Sequence, residues 1–379
     1  MDIRALFFII YTAVLTFSVL YSPQPLLPIL MKAFSVDKSS AALVTTVTLF
    51  PLGIAPILYG YILEKYTAKK VLTFTLVVLT SLELVIYFID SFFLLILIRL
   101  MQGFMIPGIL TSLMTYISFT VNDALVQKVM SYYIAATILG GFLGRFFSGL
   151  ISKVIGWRYS FLILGVSLAI SLFLIKDLQD YKIQRKEKLS LKNTLSILKI
   201  PQYLSIYITI FCIFFVFASM LNFLPFRLKE ISDTVSEFMI GLSYSGYIMG
   251  IIVSLTSIKL IKIFKSEKIV MFLGMLFYIF SLTIFYFRSI PMIFIAMFIF
   301  CAGMFTVHSV ASGYLNRIAK SEKGVVNGLY VSFYYTGGTL GTFLPGYIYK
   351  NYGWSYFIVT LAIMIFLAMF SILTLKQHQ

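Results

Sequence analysis

Glu83, Arg99, Arg145 and His308 are ionisable side chains set inside long apolar stretches of this 379-residue chain. An ionisable group in hydrocarbon is costly unless it is paired, so each is a candidate for handling charge or protons. Glu83 lies seven residues before Asp90, and Arg99 seven after Phe92. On helices joined by a tight hairpin, both then sit about 10 Å below the same surface. They are expected to pair, or to share a polar network with Gln102. Such a network either pins the hairpin statically or offers a carboxylate that can take up and release a proton. Arg145 is flanked by glycines that let another helix approach. It can bind an anionic group of a substrate or a carboxylate, or it can hold backbone carbonyls as a packing charge. His308 can relay protons near neutral pH or serve as a hydrogen-bonded structural residue beside Ser309. Gln24 and Asn222 add amides able to line a pathway.

Other chemistries lack their residues. The two histidines, at 308 and 378, cannot supply a nucleophile–base pair or a metal cluster, and no nucleotide-binding motif is present. Cys212 and Cys301 lie in apolar segments and read as packing residues. No enzymatic activity, cofactor or metal is expected. The net charge of +16 is spread through loops rather than gathered in a basic domain, which argues against nucleic acid as a partner.

The elements that position these residues follow from composition. Sixty per cent of the chain is apolar and 12% is charged, with 38 Phe and 25 Tyr. Soluble domains carry about a quarter charged residues, so the solvent for most of this chain must be the lipid bilayer. Long unbroken apolar runs exclude a transmembrane β-barrel, whose strands alternate with period two. Hydropathy places twelve spans near 5–31, 41–63, 71–89, 92–118, 128–153, 158–175, 203–226, 238–258, 269–287, 290–315, 325–349 and 354–375. The run after Arg4 is too long for a signal-peptide core and reads as the first span. The expected architecture is an all-α membrane protein of two six-helix bundles, 1–176 and 201–379, joined by a cytoplasmic linker at 177–200. With the N-terminus inside, 20 basic residues fall on inner segments and 8 on outer ones. By the positive-inside rule both termini are cytoplasmic.

The halves are related in sequence. At an offset of 197, twelve of the 27 positions from 133 to 159 are identical to their counterparts. The matches include Gly140/Gly337, Gly141/Gly338, Gly144/Gly341, Gly149/Gly346 and Trp157/Trp354, and Pro28 aligns with Pro225. The eight glycines are expected to pack helices closely. Six spans per half put both in the same orientation, as parallel repeats about an axis along the membrane normal. Pro23, Pro25 and Pro28 must break or bend the first span. In lipid that is tolerated only against protein or a water-filled cavity, which points Gln24 toward the pathway.

With this layout and several local patterns the chain resembles the major facilitator superfamily over essentially its whole length. After the second span, GYILEKYTAKK presents Gly60, Glu64, Lys65, Lys69 and Lys70 in the pattern of the family's Gly-x-x-x-Asp-Arg-x-Gly-Arg-Lys motif. The resemblance implies a cytoplasmic latch that holds the two halves together in one state. Glu64, Lys65 and Thr67 replace the usual aspartate, arginine and glycine. The fourth span carries Arg-x-x-Gln-Gly as Arg99, Gln102 and Gly103. YSPQPLLP (21–28) and GGFLGRFFSG (140–149) are similar to the bacterial drug-efflux and acriflavine-sensitivity branch. Arg145 and Ser148 stand where the family's antiporter signature has Pro and Gly.

The expected function is secondary active transport of a small organic solute across the cytoplasmic membrane by alternating access. Proton-coupled efflux by a monomer is the first reading, and proton-coupled uptake of a small, anionic metabolite the alternative.

Overall fold

A backbone in hydrocarbon has no water to bond, so it must satisfy its own N–H and C=O groups within each segment. Among the described residues (3–121, 123–180, 196–319 and 323–373) of this computed structural model, all regular structure is helical. In chain order the helices are α1 (Ile3–Tyr21), α2 (Leu27–Ala33), α3 (Lys38–Leu49), α4 (Ala55–Lys65), α5 (Ala68–Val85), α6 (Phe92–Thr120), α7 (Asp123–Ile155) and α8 (Trp157–Leu174). There follow α9 (Pro201–Ile231), α10 (Glu237–Ser243), α11 (Tyr247–Phe264), α12 (Glu267–Phe285), α13 (Ile290–Ile318), α14 (Lys323–Tyr352) and α15 (Trp354–Leu373). Of the linker expected at 177–200, the stretch 181–195 lies outside the described residues.

Among the described residues, ten stretches are long and apolar enough to cross a membrane, and an eleventh is the pair Lys38–Gly53 and Ala55–Lys65, bent by 50°. The expected twelve is therefore not reached on length and apolarity. The remaining segment, α14, is helical over 30 residues, but glycines, threonines and tyrosines dilute its apolar character. The second span also differs from the single helix expected at 41–63. It breaks at a 3-10 turn, Phe50–Gly53, where Pro51 lacks an N–H to continue the ladder.

Burial is inverted relative to a water-soluble protein. Leu255 is 77% exposed and Phe93 73%, while Glu83, Arg99 and Gln102 are fully buried. Apolar surface outside and ionisable groups inside is the arrangement lipid demands.

Prolines within the helices set a recurring local problem. Each removes the N–H that would bond the carbonyl four residues earlier. Pro225 in α9 frees the carbonyl of Leu221, and the Tyr244 hydroxyl donates to it at 2.8 Å. Pro345 in α14 frees the carbonyl of Gly341, and Ser219 Oγ lies 2.7 Å away, also within reach of the Phe215 carbonyl at 2.6 Å. Tyr244 is fully buried. Tyr244→Phe keeps the ring and deletes the proton offered to Leu221, so it is expected to cost about 1–3 kcal/mol. A lowered unfolding temperature in detergent checks this, and an unchanged one refutes it.

The chain divides into two compact units, residues 1–186 with 234–242, and residues 187–233 with 243–379. In the first, α1 and α7 meet backbone to backbone. A Cβ added at Gly140 would stand 2.3 Å from the Val14 carbonyl oxygen, and one at Gly144 would stand 2.5 Å from Ser18 Cα. In the second, α9 and α14 repeat this at Gly337 against Phe211 and at Gly341 against Phe215, both at 2.2 Å. Both partners are displaced by the same 197 residues.

The remaining repeat glycines are not all alike. Gly338 packs against a side chain of α9 rather than against its backbone. A Cβ there would stand 2.3 Å from Cε1 of the Phe214 ring, so the glycine makes room for an aromatic face rather than for a neighbouring main chain. Gly141 and Gly346 are buried. The segment 234–242 groups with the first unit through further close approaches. A Cβ at Gly149 would stand 2.3 Å from the Glu237 carbonyl oxygen, and one at Gly241 2.7 Å from that of Arg145.

Each unit ties off its last helix in the same way. Lys69 Nζ donates to the Lys176 carbonyl at 3.1 Å, and Lys268 Nζ to the Leu373 carbonyl at 2.9 Å. A cation there meets the negative end of the helix dipole and its unbonded carbonyls. The acceptors are 197 residues apart, although the donors are not.

Candidate functional site

The first unit holds a buried polar network at the break in its first span. α1 ends at Tyr21, a 3-10 turn Gln24–Leu26 follows, and α2 resumes at Leu27. Pro23 cannot bond the Val19 carbonyl. Arg99, on α6, comes to meet it. One terminal nitrogen of its guanidinium donates to Val19 O at 3.1 Å and to Gln102 Oε1 at 2.7 Å. The other donates to Leu20 O at 3.0 Å, and Nε to Val44 O at 3.2 Å. Ser22 Oγ offers Val19 O a longer bond, 3.4 Å. A planar fork with five donors suits several carbonyls fixed in different directions, which a lysine cannot serve.

Gln102 lies one helical turn beyond Arg99, on the same face. Its Nε2 donates to Glu83 Oε2 at 2.6 Å. Glu83 and Arg99 thus share one network with the amide between them, rather than a direct ion pair. The second carboxylate oxygen, Oε1, is buried with no hydrogen-bond partner. In apolar surroundings a bare carboxylate oxygen is costly. Protonation there would neutralise the group and leave the Arg99 charge without its counter-charge.

Arg145, on α7, is nearly fully buried. Its Nε donates to Gln24 Oε1 at 2.6 Å, and a terminal nitrogen to the Gly141 carbonyl at 2.6 Å. The guanidinium lies 4.2 Å from the centre of the Tyr21 ring, a cation–π contact. Ser148 Oγ donates to the Ser22 carbonyl at 2.7 Å. Gln24 and Arg145 are brought together, and Tyr21, Ser22 and Ser148 join them unforeseen. Their positions beside the proline break and the paired glycines are the signal that could have found them.

In the second unit His308, on α13, has Nδ1 2.9 Å from the Tyr330 hydroxyl and packs against Tyr334. Tyr334 stacks on Phe214 with ring centres 3.6 Å apart. The same Phe214 ring lies against Gly338, so that glycine positions the aromatic stack beside His308. Neighbouring Ser309 Oγ donates to Ser254 Oγ at 2.9 Å. Asn222 is fully buried and donates from Nδ2 to the Thr342 carbonyl at 3.2 Å.

In the motif after the second span, Gly60 is buried on α4, while Glu64 and Lys65 at its end are exposed. Thr67 caps α5 by accepting from the Lys70 backbone N–H. Lys69 is the residue that ties off α8. Among the described residues, no group of three or more His, Cys, Asp or Glu side chains could hold a metal.

Comparison with known proteins places this geometry. The sequence profile of the Major Facilitator Superfamily matches residues 7–258 and 228–379. An uncharacterized transporter of Buchnera aphidicola subsp. Schizaphis graminum is 26% identical over 357 residues, covering 92% of this chain and 86% of its own length. Inner membrane transport protein YnfM of Escherichia coli K12 is 26% identical over 380 residues, covering 93% of this chain and 86% of its own. The solved structure of the nucleoside transporter NupG superposes with a TM-score of 0.81, over 97% of this chain and 99% of that one. At 14% identity that likeness is one of fold.

Proposed function

Because the chain belongs to the major facilitator superfamily, we propose that it is a proton-coupled efflux transporter of the bacterial drug-efflux type, with Glu83 as its proton site. The family itself makes it a multi-pass membrane protein and a secondary transporter of small solutes, not an enzyme. The coupling, the direction and the branch are our reading. So are its working as a monomer in the inner membrane with both termini cytoplasmic, two six-helix halves rocking about a central site, and Glu64 and Lys65 latching their inner ends.

The observation that carries the coupling is the Glu83 carboxyl, fully buried, with one oxygen bonded to Gln102 and the other bonded to nothing. Through Gln102 and Arg99 its charge reaches the carbonyls at the break in the first span. Losing or gaining a proton at Oε1 changes how firmly that break is held, and so links protonation to the shape of the helix beside Gln24 and Arg145.

Proteoliposomes with an imposed pH gradient test this, using a panel of cationic, neutral and anionic organic solutes. Glu83→Gln removes the ionisable group while keeping an acceptor for Gln102. Gradient-driven flux should fall about a hundredfold or more, the scale of a lost proton-transfer group, while exchange of labelled for unlabelled solute without a gradient persists. If gradient-driven flux and its pH profile match those of the unaltered protein, the proposal fails. Arg145 supports the second reading, uptake of an anionic metabolite, because its guanidinium is held at the break by Gln24. Inward accumulation confined to anionic solutes, abolished in Arg145→Gln, would decide for it.

A further inference from the structure

His308 engages the second unit through only one of its two ring nitrogens. Nδ1 lies 2.9 Å from the Tyr330 hydroxyl, which also lies 3.2 Å from the carbonyl of His308 itself. Tyr330 is buried and has one hydroxyl proton to give. A carbonyl can only accept, so a single arrangement makes both contacts hydrogen bonds at once. The hydroxyl donates to the carbonyl, and Nδ1–H donates to the hydroxyl oxygen. The tautomer is thereby assigned from the hydrogen-bond network. In the neutral ring Nε2 then carries the lone pair and can only accept. Among the described residues Nε2 forms no hydrogen bond and His308 no ion pair, and the atom is open rather than sealed in the packing. His308 as a whole is half-buried.

The surroundings of this acceptor are aromatic and held in place. The Tyr334 ring centre is 5.1 Å from that of His308, and Tyr334 stacks on Phe214 at 3.6 Å. Tyr335 meets the Phe214 ring edge-on at 6.0 Å. The stack has room because Gly338 carries no Cβ to occupy the space of the Phe214 ring. Two further bonds fix α14 along its length. The Tyr207 hydroxyl, from α9, donates to the Val326 carbonyl at 3.0 Å, and Asn327 Nδ2 donates to Asn316 Oδ1 on α13 at 2.8 Å. Val326 and Asn327 stand one turn before Tyr330, so they hold the tyrosine that sets the tautomer in register with His308. A site fixed by its own contacts loses little further freedom when it binds.

An acceptor in apolar surroundings costs free energy until a donor meets it. Aromatic walls with one convergent polar atom are the usual make-up of a small-molecule site. Rings of this kind take a flat aromatic partner in offset or edge-on contact. With no counter-charge paired to His308, the acceptor suits an uncharged donor rather than an ion. We propose that His308 Nε2 is the hydrogen-bond acceptor of a solute site in the second unit, which takes an uncharged aromatic solute carrying a hydroxyl or a ring N–H. The inference rests on the transport of small solutes that the family implies, and not on the proton coupling proposed for Glu83.

Equilibrium dialysis of the full chain tests this, with the same detergent in both chambers. The probes are two matched pairs, naphthol with its methyl ether and indole with N-methylindole. Methylation removes the donor and keeps the flat ring. The parent compound of at least one pair should bind about tenfold tighter than its methylated form, the scale of one hydrogen bond to an otherwise unpaired acceptor. His308→Phe keeps a ring without the acceptor and should bring that ratio to about one, the value left when no hydrogen bond distinguishes the pair. Tyr330→Phe deprives Nδ1–H of its acceptor and frees the imidazole to carry its proton on Nε2. The ratio should then fall for indole, whose N–H can only donate. Tyr334→Leu should weaken the binding of parent and methylated probes alike and leave their ratio in place. Equal binding within both pairs by the unaltered protein would overturn the proposal, as would a ratio that survives in His308→Phe. Variants are compared when they elute and unfold as the unaltered protein does, and His308→Leu supplies the measurement if His308→Phe does not. Binding at equilibrium uses no gradient, so this result stands or falls apart from the coupling tested with Glu83→Gln.

Discussion

Arg99→Met is expected to destabilise the protein by about 3–5 kcal/mol, the usual cost of removing one member of a buried charged arrangement. Methionine fills much of the same space and offers no proton. Val19, Leu20 and Val44 would each lose the donor that Arg99 now supplies, and Glu83 would lose its counter-charge. Unfolding in detergent, followed by fluorescence against temperature, should show the loss directly. Two companions separate its sources. Arg99→Lys keeps the charge but not the fork, so it should fall between the parent and methionine. Arg99→Met with Glu83→Gln removes both charges at once. If the double variant recovers most of the loss, the uncompensated carboxylate is the larger part. If it recovers none, the carbonyls are. An unchanged unfolding temperature in Arg99→Met would contradict the role assigned to Arg99.

Gly341→Val is the second large effect. The added Cβ would stand 2.2 Å from the Phe215 carbonyl oxygen and 2.9 Å from two further backbone atoms of that residue. No side chain can rotate away to relieve this, so α9 and α14 must separate along their length. Overpacking costs about 1–3 kcal/mol where a core can adjust, and a backbone-to-backbone seam adjusts least. Folded yield and unfolding temperature should both drop, and Gly144→Val should do the same in the first unit, where Ser18 Cα is 2.5 Å away. Gly313 is the control. A Cβ there meets nothing within 4 Å, so Gly313→Ala should be neutral or stabilising by up to about 1 kcal/mol. A Gly341→Val protein as stable as Gly313→Ala would refute the seam.

Much of this was legible before any coordinates. Hydropathy located the helices because lipid leaves the backbone no alternative, and the 197-residue offset pointed to glycines, four of which prove to face matching backbone partners in the two units. Counting rise per residue brought Glu83 and Arg99 to one depth. Other features were not accessible in that way. Gly338 aligns with Gly141 as cleanly as the seam glycines align with each other, yet its neighbour is an aromatic ring, which an offset between halves does not reveal. Three of the four acceptors of Arg99 are main-chain carbonyls, which carry no residue letter. Of these, only Val19 is reached by asking what happens to the carbonyl four residues before a proline. Put to Pro225 and Pro345, the same question would have called for donors such as Tyr244 and Ser219, although it cannot say which helix supplies them. The break after Leu49 was signalled by Pro51 and Gly53, but an apolar average runs straight through it. The grouping of 234–242 with the first unit depends on close approaches at Gly149 and Gly241, which repeat-based boundaries do not contain. The Lys69 tie falls on carbonyls more than a hundred residues away, beyond the reach of any local pattern.

The bond between Arg99 and the first span has a bearing on how such a helix can change by mutation. Proline at 23 without the arginine leaves the Val19 oxygen only the long Ser22 bond, and the arginine without the interrupted helix leaves a guanidinium short of acceptors. Either order of acquisition crosses a handicapped intermediate. The two positions therefore constrain each other's history, and drift at one is penalised unless the other moves with it.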